Sequence, residues 1–161
     1  MARKEVINTT ESEVKFFIEC ADIKLLNSNL IPLQNKIKED IDVLISAKVI
    51  EFLSISNLNV KITHKNKKRN DTPMKGYQFD LTYSVIFRSS EGTPTNLLGE
   101  FTKLYTISIL WPYVREYVHD TFSRCGESDF LLPLINPQVF TENLIKSKKI
   151  NVEVFEGKLE L

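Results

Sequence analysis

Apolar positions recur every second residue through much of the chain and every third or fourth residue further on. Over residues 14–26, Val14, Phe16, Ile18 and Cys20 alternate with Lys15 and Glu19, which predicts a strand. Phe17 breaks the alternation, as expected of a strand partly covered on both faces. Asn27-Ser28-Asn29 marks a turn or bulge, after which Leu30-Ile31 can resume the strand until Pro32 ends it. Then the period shifts. Leu33, Ile37, Ile41, Leu44, Ile45 and Val49 follow helical spacing behind a proline suited to a first helical turn. A helix over residues 33–50 is the expectation, although the β-branched, partly alternating run 42–52 is also compatible with a strand.

Residues 54–63 return to strand spacing through Ile55, Leu58, Val60 and Ile62, and residues 65–73 form a polar, charged hairpin turn. The cleanest alternation follows, with Tyr77, Phe79, Leu81, Tyr83, Val85 and Phe87 on one face. After a turn at residues 89–94, residues 97–107 read as a third strand, completing an antiparallel meander. Ile109, Leu110, Tyr113, Val114, Tyr117, Val118 and Phe122 then give an apolar stripe at helical spacing over residues 109–124. Ser108 is its candidate N-cap, Pro112 lies in its first turns, and Cys125-Gly126 is its stop. Residues 130–140, with Pro133 and Pro137, cannot form one regular element. A short helix over 138–148 and an edge strand or tail at 152–155 complete the pattern.

With 161 residues and no linker or repeat, one domain is expected over residues 1–161. Lys plus Arg and Asp plus Glu both number 21, so no overall field draws the chain to nucleic acid or membrane. Cys20 and Cys125 lie far apart with no metal-ligand spacing, which argues for reduced thiols. An N-terminus without an apolar signal and the lack of any long apolar run predict a cytoplasmic protein that does not insert into membranes.

Catalytic motifs are missing: there is no glycine-rich phosphate loop, no nucleophile elbow and no His-Glu-x-x-His. His64 and His119 stand alone, and His119-Asp120, as helix neighbours, point apart. No enzyme and no cofactor are expected. The hairpin at residues 65–69, with Lys65, Lys67, Lys68 and Arg69, offers phosphate contacts for an alternative, nucleic-acid-binding role. Lysines on such a turn more often keep it soluble and unpaired. The helical stripe is ordinary core in part, but its aromatic content also suits a partner-facing surface. The apolar loop 130–140, stiffened by two prolines, must be either buried or one wall of a groove.

These last segments carry a resemblance. Leu110-Trp111-Pro112-Tyr113-Val114-Arg115-Glu116 is similar to the Leu-Phe-Pro-Tyr-Ala-Arg-Glu that opens the main helix of the SecB family of export chaperones. Arg124-Cys125-Gly126 resembles that helix's Arg-Gly end. Leu131-Leu132-Pro133-Leu134-Ile135-Asn136, with Phe140 beyond, resembles the family's Leu-Ala-Pro-Val-Asn loop. The similarity covers residues 108–142.

The resemblance implies an α+β fold: a four-stranded antiparallel sheet backed by a long helix, with a short C-terminal helix. It implies an ATP-independent holdase that assembles as a tetramer and binds unfolded or nascent client proteins in apolar grooves. Phe130, Leu132, Leu134, Ile135, Val139 and Phe140 would line the client groove. Trp111, Tyr113, Tyr117, Val118 and Phe122 would support it or form the oligomer contact. Zero net charge and the lysine-rich hairpin depart from the acidic export factors and weaken the implication that the SecA motor docks. Residues 32–50 look inserted, and the family's segment between last strand and main helix is missing. Such differences suit a chaperone dedicated to one client, such as an antitoxin.

Overall fold

In the computed structural model, residues 4–8, 15–34, 37–66 and 76–156 are described. Strand alternation translates directly into a wall of buried side chains. In β3 (Asp40–Ile50), β4 (Leu53–Lys65) and β5 (Gly76–Ser89), the buried residues Val43, Ile45, Val49, Leu58, Val60, Ile62, Phe79, Leu81, Val85 and Phe87 share one face. The helix α1 (Thr95–Arg124) lies on that face over β3, β4 and β5, burying Leu98, Ile107, Leu110, Val114, Val118 and Phe122 against it. Chain order is completed by β1 (Lys4–Asn8) and β2 (Lys15–Leu33) before these elements. After them come α2 (Pro137–Lys146) and β6 (Ile150–Phe155), and α1 covers β6 as well.

The sheet differs from the four-stranded antiparallel one expected. Its order is β1-β2-β5-β4-β3-β6, five strands with the short β1 added at one edge, and it is mixed because β6 runs parallel to β3. Every other pairing is antiparallel. β2 continues through Asn27 and past Pro32, taking up the bulge signal as register shifts between Cys20 and Asp22 and between Leu25 and Asn27. Bulges of this kind raise twist without ending a strand.

Two elements contradict the pattern reading. Residues 40–50 are strand, not helix: Val43, Ile45, Ala47 and Val49 turn inward at period two while Leu44, Ser46 and Lys48 face out. The helical spacing of Ile37, Ile41, Leu44 and Ile45 was a coincidence, overridden by eleven paired positions with β4. This segment is therefore an integral strand of the sheet.

Residues 97–107 are helix, not strand, and Ser108 caps nothing because α1 already begins at Thr95. β-branched residues favoured the strand reading, yet Thr102 and Thr106 donate their hydroxyl protons to the carbonyls of Leu98 and Thr102, each at 2.7 Å. With its proton committed, each threonine oxygen accepts from a serine of β4: Ser54 to Thr102 at 2.7 Å and Ser56 to Thr106 at 2.8 Å. All four hydroxyl groups are buried and satisfied, which fixes the helix register on the sheet.

β4, β5 and α2 stand close to where the pattern placed them. Most of the hairpin turn, residues 67–75, lies outside the described residues, as do residues 157–161.

Candidate functional site

Phe122 closes α1, and Cys125-Gly126 ends it with Gly126 at φ 82°, a left-handed stop that glycine adopts without strain. The chain then doubles back along the helix as an irregular loop, residues 127–136, before Asn136 caps α2. Its side-chain oxygen accepts from the amides of Gln138 and Val139 at 3.1 and 3.3 Å, with Pro137 in the first helical position.

α1 holds this loop by its carbonyls. Trp111 Nε1–H donates to the Pro133 carbonyl and Arg115 Nε–H to the Leu132 carbonyl, both at 3.1 Å. His119 Nδ1 lies 3.5 Å from the Phe130 carbonyl, a hydrogen bond for the Nδ1–H tautomer. The three donors stand four residues apart, so they form one row along the helix. They meet a loop running in the opposite direction.

Beneath the loop is an aromatic stack. Phe122 meets Phe79 edge-on with centroids 5.9 Å apart, and Phe130 lies 4.6 Å from both Phe122 and His64. His64 is buried, with Nε2 3.4 Å from Glu127 and Nδ1 3.6 Å from Glu39, so it is part of the loop's foundation and not of an exposed basic turn. Trp111 and Phe140 approach to 5.5 Å and tie α2 to the same platform.

Of the six residues expected to line a groove, Leu132 is only 2% exposed and anchors the loop in the core. Phe130, Ile135 and Phe140 are half-buried against that core. Leu134, at 83% exposure, and Val139 stand in solvent, joined by Leu131, which is not one of the six. Among the five residues expected to support the groove or a subunit contact, Trp111, Val118 and Phe122 are buried within the protomer. Val118 and Phe122 therefore offer no surface to a second subunit. Tyr113 is exposed, and Tyr117 is half-buried.

Tyr113 and Tyr117 belong to a second feature, an open cleft of ≈ 570 Å³ lined by Tyr83, Tyr113, Glu116, Tyr117, His119, Asp120 and Ser123. Tyr117 O–H donates to Ser28 of β2 at 2.9 Å and packs edge-on against Tyr83. Burial, followed by the nearby Tyr117, Glu116 and Tyr113, raises the Tyr83 phenol above its ordinary value.

Arg115 enters the sequence reading only within the helix motif and His119 only as a lone histidine, and neither is expected there to hold the loop. The signal was there, in donor side chains at i, i+4 and i+8 facing a loop whose two prolines lack amide protons. Among the described residues no group of three His, Cys, Asp or Glu side chains could hold a metal ion. Among them, too, no helix is long and apolar enough to cross a membrane.

Among curated proteins, no sequence matches this chain. In solved structures it is similar to the Mycobacterium tuberculosis SecB-like chaperone in complex with a peptide from the HigA1 antitoxin. That likeness has a TM-score of 0.60 at 15% identity and covers 74% of this chain and 91% of the other. The sequence matches the family described as preprotein translocase subunit SecB over residues 11–148, which takes in β2 to α2 and leaves out β6. The chain belongs to the SecB family.

Proposed function

We propose that this chain is an ATP-independent chaperone that holds unfolded client proteins on the loop between α1 and α2. The observation that carries this reading is a contrast within that loop. Its carbonyls are fixed by Trp111 and Arg115 and its base by buried Leu132, yet Leu131 and Leu134 project into water. The protomer's own core does not use these two leucines, and apolar side chains turned outward on a loop anchored at its base suit the capture of exposed apolar segments.

Val139 on α2 extends the apolar rim, and half-buried Phe130, Ile135 and Phe140 form its floor. Tyr113 in the cleft on α1 and the exposed Leu25 and Leu26 of β2 are among the side chains open to assembly, and a tetramer is the state proposed. The solved relative binds an antitoxin peptide. A dedicated client of that kind is proposed here in preference to general export.

The test is suppression of aggregation of an unfolded protein at near-stoichiometric ratio without ATP, with size-exclusion light scattering to count subunits. Replacing Leu134 and Ile135 with Ser should weaken protection while leaving the assembly intact. Undiminished protection by that variant would overturn the assignment of the loop.

A further inference from the structure

The structure assigns a second place where an extended client segment pairs: the outer edge of β3, now occupied by the chain's own β6. We infer that β6 is a resident competitor which the client displaces. This rests on the chaperone reading above and names a further site and the segment it takes.

The slot is built independently of its occupant. β3 offers an edge of backbone donors and acceptors along Ile45 to Ile50. Its floor is α1 at buried Gly99, where a Cβ would stand 3.4 Å from Val154 Cγ2 and 3.8 Å from Val152 Cγ1. Val152 and Val154 thus pack over this glycine, between helix and strand edge. Both walls lie within the family match, while β6 lies past its end.

The occupant is held lightly. β6 has six residues, of which Ile150, Val152 and Val154 face α1; none is fully buried, and Val154 remains 39% exposed. Asn151, Glu153 and Phe155 are exposed or face solvent on the other side. At its start, Ile45 N–H donates to the Lys149 carbonyl at 2.9 Å, and Lys149 pairs with Asp42 at 3.1 Å, an ion pair too exposed to contribute much. A short edge strand with few enclosed side chains opens at low free-energy cost.

What displaces β6 must resemble it. The slot accepts an extended segment running parallel to β3, with uncharged branched aliphatic residues at alternate positions. Unfolded proteins present such segments and folded ones hide them. A resident competitor also sets a threshold, because apparent affinity falls by the fraction of time the slot is filled, so weak segments are turned away.

Amide hydrogen exchange on the full chain, alone and saturated with reduced, carboxymethylated lactalbumin, tests the proposal. Residues 150–155 should exchange about tenfold faster with lactalbumin bound while β3 stays protected. Unchanged β6 protection with lactalbumin demonstrably bound would overturn this inference and leave the chaperone reading standing. Failure of lactalbumin to bind at all would overturn both. In the full chain, Val152→Asp should loosen β6 and tighten lactalbumin binding about fivefold; equal or weaker binding counts against the inference. Exchange on the unmodified chain decides the matter if that variant does not fold.

Discussion

The indole N–H of Trp111 reaches across 3.1 Å to the carbonyl of Pro133, so the main helix grips the loop at a residue that has no amide proton of its own. Trp111→Phe keeps a ring near Phe140 but removes the donor, leaving a carbonyl without its partner. A stability loss of about 1 kcal/mol is expected in urea unfolding, with faster amide exchange in residues 130–135. Adding Arg115→Met should release the loop further and weaken client holding.

Two neighbouring leucines should behave in opposite ways. Leu134→Ser, at an exposed site, should leave stability within about 0.5 kcal/mol of the parent while reducing aggregation suppression. Leu132→Ala should cost about 2–5 kcal/mol through the cavity it leaves, because that side chain is buried. Equal stability losses in the two variants would contradict the division of the loop into anchor and display residues.

The hydroxyl relays between helix and sheet invite a double-mutant cycle. Thr106→Val strands the buried Ser56 hydroxyl and should cost about 1–3 kcal/mol. Adding Ser56→Ala removes the stranded group, so the double variant should lose less than the sum of the two single changes. Additive losses would mean that the 2.8 Å contact contributes nothing of its own.

Tyr83 predicts an alkaline dependence. Burial first, then Tyr117, Glu116 and Tyr113, raise its phenol above the ordinary 10.0, so the fold favours the neutral form. The resulting stabilisation is fully present below that ordinary value and is lost as pH rises through the raised one. Unfolding measured from pH 8 to 11 should show a steeper alkaline fall in the parent than in Tyr83→Phe.

Lys148 closes the turn after α2, with its N–H bonded to Ile145 and that of Lys149 to Leu144, in a conformation glycine would adopt freely. Lys148→Gly should therefore raise stability by up to about 1 kcal/mol in thermal or urea unfolding.

How legible the molecule was in its sequence depended on where each segment's hydrogen bonds go. β5 announced itself because its inward face is uniformly apolar from Tyr77 to Phe87. α1 was half hidden, because Thr102 and Thr106 read as strand formers until their hydroxyls are seen bonded to the helix backbone. β3 was misread because helical and strand spacings overlap at Ile37, Ile41 and Ile45, and only pairing with β4 separates them. At the site, the apolar loop and its prolines could be read directly. Which leucines face in and which face out could not, because that follows from the grip of Trp111 and Arg115 on particular carbonyls.

The parallel pairing of β3 with β6 also orders the events of synthesis. β3, β4 and β5 join through neighbouring antiparallel pairings, which form early because little chain must be closed into a loop. β6 emerges only after both helices and must find a strand made about a hundred residues before it, so it docks last. Each newly made copy therefore passes through a stage with the β3 edge bare, and during that interval it is itself open to strand addition by a neighbouring nascent chain.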